Sequence, residues 1–428
     1  MRISLKFLGD AFTILVLFLG TGAFISLMMD NSNPDSATDG SLLTQFGWSL
    51  IYLAVLLRAL PLRREILEAV KANKVLLFLV LFAILSSVWS EDPGLTFRRG
   101  FAVLATTLFG LDFAVRYPIG EQVRLFGIAL GLAVAISVLV EIFFHGMVPT
   151  VDNAYPDAWN GAFAQKNDFA RFVVLAGILV LVRTRTTTWK LVVATVTVGA
   201  SLALIFLCRS KTALVVFVAM LVLLRIFRLR RRGSRALTAG IVTVLVVSAL
   251  LSIVVDMDSM AGLLGRDATL TGRTTIWALA LESVSERPLL GYGYSAFWNV
   301  APEAHRISSI LHWNVPHAHN GFIDLTLQLG LVGLALSVVV YGVAVHRAMA
   351  FAYSEPEQEA MWPLAYLAFI LLYQVTESTI FVGNTILWMV YVSTVCSVRS
   401  ALRDESTVSD GDSVLEPVGS FAGGKEYV

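Results

Sequence analysis

At 428 residues the chain has the length of two or three soluble domains, but its composition excludes them: 57% of residues are hydrophobic, 15% are charged and the mean hydropathy is +0.74, against roughly 25% charged in a typical soluble protein. The 32 Lys+Arg and 31 Asp+Glu leave a net charge of +1, so the basic field that a nucleic-acid binder needs is missing. Cys208 and Cys396 lie far apart, which argues against a disulfide framework or a zinc site.

The apolar residues fall in blocks of about twenty, enough to span a ~30 Å hydrocarbon core, and the chain reads as an all-α, polytopic integral membrane protein. Twelve runs follow in chain order: 7–29, 42–60, 75–90, 100–115, 125–145, 168–182, 190–207, 212–227, 236–255, 320–345, 362–379 and 383–398. The first follows Arg2 and Lys6 as a signal peptide would, but it is about span length and lacks a small-x-small cleavage site, so it is expected to be a retained helix. With the N-terminus inside, basic residues such as Arg58, Arg63, Arg64, Arg116, Arg124 and the cluster Arg225 to Arg235 collect on the cytoplasmic side. The positive-inside rule then places both termini in the cytoplasm. The expected organisation is a polytopic membrane domain over 1–403 and a disordered, acidic cytoplasmic tail over 404–428.

Two outward segments are long, 146–167 and 256–319, and loops of that length usually do something. Within the second, Thr274 to Ser285 carries an apolar stripe (Ile276, Trp277, Leu279, Ala280, Leu281 and Val284) that predicts a helix. No repeat relates the two halves of the chain, which weakens a transporter architecture.

Ten cations remain outward: Arg98, Arg99, Lys166, Arg171, Arg209, Lys211, Arg266, Arg273, Arg287 and Arg306. Charges beside apolar spans are costly unless paired or facing water, so each needs a reason. Several fall in clusters. Trp159-Asn160-Gly161-Ala162-Phe163-Ala164-Gln165-Lys166-Asn167-Asp168 leads into the sixth run, and Cys208-Arg209-Ser210-Lys211-Thr212 forms a tight turn between two runs. Thr271-Gly272-Arg273-Thr274-Thr275-Ile276-Trp277 is followed by Arg287-Pro288-Leu289-Leu290-Gly291-Tyr292-Gly293. Pro316-His317-Ala318-His319-Asn320-Gly321 runs into Gly330 and Gly333, with ten residues between His319 and Gly330. The Gly291-Tyr292-Gly293 turn lacks the βαβ flanks of a nucleotide-binding loop.

These motifs resemble the O-antigen polymerase/ligase superfamily of bacterial membrane glycosyltransferases, over about 159–334. Gly161 to Asn167 and Arg209 to Thr212 look most like exopolysaccharide polymerases of the ExoQ type. Many members have Ser-Arg where this chain has Ser210-Lys211, so Lys211 replaces a planar, bidentate cation with a point charge. The resemblance implies a sugar chain on undecaprenyl diphosphate as substrate, presented at the periplasmic face of the inner membrane. It also implies membrane lipids as surroundings and a flippase and a chain-length regulator as pathway partners.

The residues agree with that chemistry. Diphosphate is already a good leaving group, so cations that hold it and stabilise developing charge suffice. Arg273, Lys211 and Lys166 are the candidates, with Arg209 beside them. His319 has the pKa range of a general base and precedes a helix for which Asn320 is the expected cap. The helix N-terminus disfavours the imidazolium form. Glu377, read as lying inside the eleventh run beside Gln374, is an auxiliary candidate that would pair with an arginine or assist the base, as is Asn320. Glu141 and Asp324 are weaker candidates of that kind.

Bland roles compete with each of these. His319 would be a solvent-facing histidine, Arg273 would pair with Asp267 or Glu282, and Lys211, Arg209 and Lys166 would anchor the chain in headgroups. His317 hints at a metal pair, but no third or fourth ligand is evident from the sequence, so neither metal nor cofactor is expected. The leading reading is a metal-independent, inverting polymerase. The alternatives are a ligase that passes the glycan to a lipid A-core and, in a different class, a transporter of polysaccharide lipids.

Overall fold

The computed structural model describes residues 5–23, 42–145, 157–183, 188–230, 273–354 and 358–398. Among these there are helices and no strands. The first half contains α1 (Leu5–Leu19), α2 (Leu42–Ala59), α3 (Arg63–Ala72), α4 (Lys74–Leu85), α5 (Pro93–Arg116), α6 (Ile119–Phe144) and α7 (Lys166–Arg183). The second half contains α8 (Thr188–Leu207), α9 (Lys211–Arg230), α10 (Arg273–Glu286), α11 (Phe297–Val300), α12 (Pro302–Leu311), α13 (Gly321–Ser354), α14 (Trp362–Gln374) and α15 (Ile386–Val398).

Eleven of the twelve apolar runs overlap a helix; the run 236–255, most of 256–319 before Arg273, and the tail lie outside the described residues. Among the described residues, four helices are long and apolar enough to cross a membrane: Leu43–Ala72, Ile119–Phe144, Trp189–Leu207 and Gly321–Ser354. The other helices are shorter or carry charges, as α5 does with Arg98, Arg99, Asp112 and Arg116. Large side chains such as Phe7, Leu53, Phe78, Phe143, Trp189 and Phe206 stay exposed around the bundle, as expected of a surface that faces lipid tails.

α1 packs on α6, α2 on α5, and α6 on α7; α7 also meets α8, α9 and α14, while α13 lies against α4 and α14. One large core runs through this bundle, and a smaller one gathers Ile276, Tyr292, Phe297, Ile307, Val315 and Leu327 in a cap built from α10 to α12. Several basic residues read as topology anchors turn inward. Asp112, 1% exposed, takes ion pairs from Arg58 at 3.1 Å and Arg116 at 2.7 Å.

The tenth apolar run, expected as one span, contains a break. Gly330 has φ 65° and ψ −170°, so a nine-residue front segment, 321–329, is separated from the rest of α13. The segment 287–293 crosses at the break and satisfies the backbone groups that it frees. Tyr292 N–H donates to the Leu327 carbonyl at 2.8 Å and Gly293 N–H to Gln328 at 3.0 Å, while Leu331 N–H donates to Pro288 at 2.7 Å. The approach is too close for side chains: a Cβ on Gly330 would collide with the Leu289 carbonyl, and one on Gly291 would sit 2.5 Å from the Leu327 oxygen. The break thereby fastens the cap to the bundle.

Candidate functional site

The site forms where the cap, the front of α13 and the segment after α14 converge. The predicted cap at Asn320 is present: its Oδ1 accepts from Phe322 N–H at 3.0 Å and Ile323 N–H at 3.2 Å, satisfying two of the free donors of the first turn. One turn further on, Asp324 is 3% exposed and accepts from Ala318 N–H at 2.9 Å and Trp298 Nε1 at 2.6 Å, and also from the Ser378 hydroxyl. From α10, Trp277 Nε1 donates to the Ala318 carbonyl at 2.8 Å. The peptide groups on both sides of Ala318 are thus held, which orients the two flanking histidines. His319 has φ 50°, a left-handed conformation uncommon outside glycine and sustained only where the surroundings hold it.

Three successive residues after α14 meet this loop. The Val375 carbonyl accepts from Asn320 Nδ2 at 3.3 Å, the Thr376 carbonyl from Arg273 Nη1 at 2.8 Å, and Glu377 reaches both Arg273 and His319. Glu377 Oε1 lies 3.1 Å from Arg273 Nη2, and Oε2 lies 3.2 Å from His319 Nδ1. Sequence hydropathy put Glu377 inside a span. The structure corrects this: α14 ends at Gln374, and Gln374 Oε1 accepts from Thr379 and Ile380 N–H, closing the turn that carries Glu377 outside the helix. Of the alternative partners for Arg273, Glu282 pairs instead with Arg306 at 3.0 Å, and Asp267 lies outside the described residues.

Charge distribution follows from this geometry. Burial pushes the Glu377 carboxyl up, but the charges of His319 and Arg273 outweigh it and hold the group well below the usual carboxylate range. An ionised Glu377 accepts only, so the contact is made by a proton on His319 Nδ1, and in a neutral imidazole that tautomer leaves Nε2 as the acceptor. His317 is pushed down to about 4, first by burial and then by His319, and its Nδ1 accepts from His319 N–H at 3.1 Å. The expectation that no third metal ligand accompanies the histidines is also corrected. His317, His319 and Glu377 offer ligand atoms that all lie within 4.8 Å of one another.

The remaining cations lie at the entry to α7 and at the 208–211 turn. Glu141 accepts from Asn160 and Gly161 N–H, each at 2.6 Å, and its other oxygen meets His145 Nδ1 at 2.6 Å. This fastens the entry to α7, where Lys166 begins the helix and is buried. Ser210 donates to Asn167 at 2.9 Å, joining the 208–211 turn to the same entry. Arg209 pairs with Asp157 at 3.8 Å and is half-exposed, and Lys211 is exposed at the start of α9. The structure brings His319 and Arg273 onto Glu377, with Asn320 on the nearby Val375 carbonyl; Lys166, Lys211 and Arg209 gather separately at the entry to α7 and the 208–211 turn.

Sequence reading passed over the ion pair between Asp168 and Arg171 on the first turns of α7. The charges of Glu377 and His317 act on Asp168, so the pair lies within electrostatic reach of the histidine loop. The i, i+3 spacing of Asp168 and Arg171 was the available signal.

Comparison with known proteins agrees with the motifs. Residues 196–338 match the O-antigen ligase family. Over 308 residues the chain is 27% identical to the exopolysaccharide production protein ExoQ of Rhizobium meliloti (strain 1021), covering 68% of this chain and 69% of that protein. Taken with its apolar helices, the chain is a multi-pass membrane protein that is similar to the O-antigen ligase family over residues 196–338 and to the ExoQ protein over 308 residues.

Proposed function

We propose that the protein is an exopolysaccharide polymerase, a metal-independent, inverting glycosyltransferase that joins oligosaccharide repeat units carried on undecaprenyl diphosphate. The contact chain Arg273–Glu377–His319 carries the reading. The acceptor hydroxyl attacks the anomeric carbon of the donor sugar while its proton passes to His319 Nε2. The bond from that carbon to the diphosphate oxygen breaks, and undecaprenyl diphosphate leaves. Attack opposite the leaving group inverts the anomeric centre. Glu377 remains ionised and fixes the Nδ1–H tautomer, the orienting role a carboxylate plays behind a catalytic histidine. Arg273 spends two donors on Thr376 and Glu377 and directs the others at phosphate oxygens. Lys211, Arg209 and Lys166 hold the rest of the diphosphate.

In this reading the chain crosses the bacterial inner membrane twelve times, with both termini cytoplasmic and the site periplasmic. Residues 1–403 form the membrane domain, 256–319 its large periplasmic segment and 404–428 a cytoplasmic tail. A flippase supplies the substrate, and a chain-length regulator acts on the product.

The match of 196–338 to the O-antigen ligase family favours a ligase as the second reading, since donor chemistry is shared and only the acceptor differs. Purified protein in detergent, given the lipid-linked repeat unit alone, makes a ladder of longer glycans and releases undecaprenyl diphosphate without any ion gradient. A ladder absent until a lipid A-core acceptor is added establishes the ligase; transport without product establishes a carrier. Full product from both His319→Ala and Arg273→Ala at normal protein levels refutes the mechanism.

A further inference from the structure

The trio His317, His319 and Glu377 suits a second ligand besides a sugar phosphate. Its ligand atoms all lie within 4.8 Å of one another, and the two imidazole rings are 4.0 Å apart between centroids. His319 Nδ1 and Glu377 Oε2 are 3.2 Å apart. In a tetrahedral zinc site with bonds of about 2.0–2.1 Å, neighbouring ligand atoms stand roughly 3.3–3.4 Å apart, so one edge of such a site already exists. Two imidazoles and one carboxylate with an open fourth position form a known zinc donor set, and imidazole selects zinc-class ions over magnesium or calcium.

The surroundings support the trio as metal ligands. Glu377 Oε1 rests on Arg273, which orients the other oxygen toward the histidines. Ala318, between the histidines, is held at both of its peptide groups.

We propose that His317, His319 and Glu377 bind a divalent transition ion of the zinc class, and that this ion switches off the base at His319. In the proposed glycosyl transfer the Nδ1 proton of His319 points at Glu377 and Nε2 is the acceptor. An ion bound between Nδ1 and Oε2 displaces that proton. A neutral imidazole coordinated through Nδ1 carries its proton on Nε2, the nitrogen that must accept the proton of the acceptor hydroxyl. The inhibitory half rests on the proposed glycosyl transfer; the binding half does not.

Tag-free, full-length protein in detergent is titrated with zinc against a chromophoric chelator, and zinc absorption spectra are recorded on the loaded protein. The expected result is one zinc per chain at micromolar free ion, with nitrogen and oxygen neighbours, two of them imidazole, and no sulfur. His317→Asn, whose side-chain oxygen can still accept from His319 N–H, is expected to weaken binding at least tenfold. It should raise the half-inhibiting zinc concentration by the same factor relative to its own metal-free rate. Stoichiometric binding absent up to about 100 µM overturns the proposal, as does a sulfur ligand or equal affinity in a well-folded His317→Asn. Should that variant fold poorly, the wild-type spectrum and stoichiometry decide alone. Zinc binding without any glycosyl transfer leaves the site standing and sinks the enzymatic reading instead.

Discussion

Replacing Glu377 by Gln tests the proposed chemistry most sharply, because it preserves shape and removes charge. The carboxylate serves two donors at once, Arg273 Nη2 at 3.1 Å and His319 Nδ1 at 3.2 Å. A glutamine has one acceptor oxygen. The charged guanidinium claims it, since charge-assisted hydrogen bonds are about twice as strong as neutral ones. The amide nitrogen then faces His319 Nδ1 and donates to it, which requires the imidazole proton to move to Nε2. Wrong-tautomer histidines and lost general bases lower rates by about 10²–10⁴, equivalent to roughly 3–5 kcal/mol of transition-state stabilisation. The loss should fall on kcat, with KM for the lipid-linked donor changing by less than about threefold. The assay is initial release of undecaprenyl diphosphate by purified protein, with elution profile and melting temperature recorded to exclude misfolding. Glu377→Asp, which keeps both acceptors at shorter reach, should recover part of the rate. A folded Glu377→Gln enzyme within threefold of wild-type kcat would refute the orienting role.

Gly330→Ala should lower the yield and melting temperature of extracted protein, costing at least about 2–4 kcal/mol, because a Cβ meets the Leu289 carbonyl and the residue must keep φ 65°; a normal melting curve counts against the described break. Acid should destabilise the cap loop in two stages. His317 holds its folded pKa at about 4 against ~6.5 when unfolded, so the unfolded chain takes up the proton first. Stability is then full above ~6.5 and falls by on the order of 1–3 kcal/mol as pH drops toward 4. Glu377, held low in the folded state, adds stability above its unfolded pKa of ~4.3 that is lost in stronger acid. His317→Asn should flatten only the upper stage, read as melting temperature against pH. Lys211→Ala should raise KM for the lipid-linked donor about tenfold with kcat nearly unchanged, and Lys211→Arg should keep wild-type KM; an unchanged KM in Lys211→Ala removes it from the diphosphate site.

How much of this was legible depends on distance along the chain. The helix at Arg273–Glu286 and the Asn320 cap were readable because both are local patterns of a few residues. Glu377 was suspected as a costly carboxylate, but its contact with His319 spans 58 residues, and hydropathy averaging carried the apolar run past the end of α14. The break at Gly330 was hidden because its flanking residues are apolar on both sides and the satisfied backbone groups lie on another segment. Asp324 shows the same limit: a carboxylate one turn into an apolar helix is visible as an oddity, while its partners Trp298, Ala318 and Ser378 come from three separate places. Charge counting assigned Arg58 and Arg116 to the cytoplasmic side, and it has no means of seeing that both turn onto Asp112.

The spacing between His319 and Gly330 has a mechanical cause, and it can be broken on purpose. At the front end, Asn320 must cap the helix, and Asp324 must face Ala318, Trp298 and Ser378. At the far end, the carbonyls of Leu327 and Gln328 must meet the N–H groups of Tyr292 and Gly293. The nine residues between, 321–329, are one rigid rod of about 13 Å in which each residue turns the helix by about 100°. One alanine inserted after Leu325 therefore cannot satisfy both ends. Either the break keeps its partners and Asp324 swings away from Ala318, or the histidine loop stays and the cap loses its seat. The first outcome separates His319 from Glu377 and the second unseats the cap helix that brings Arg273 to Glu377, so glycan synthesis in cells should fall at least a hundredfold while an insertion after Val340, beyond the break, costs far less. Protein in the membrane is quantified alongside. An insertion after Leu325 that retains wild-type synthesis would mean that the front of α13 does not position the base.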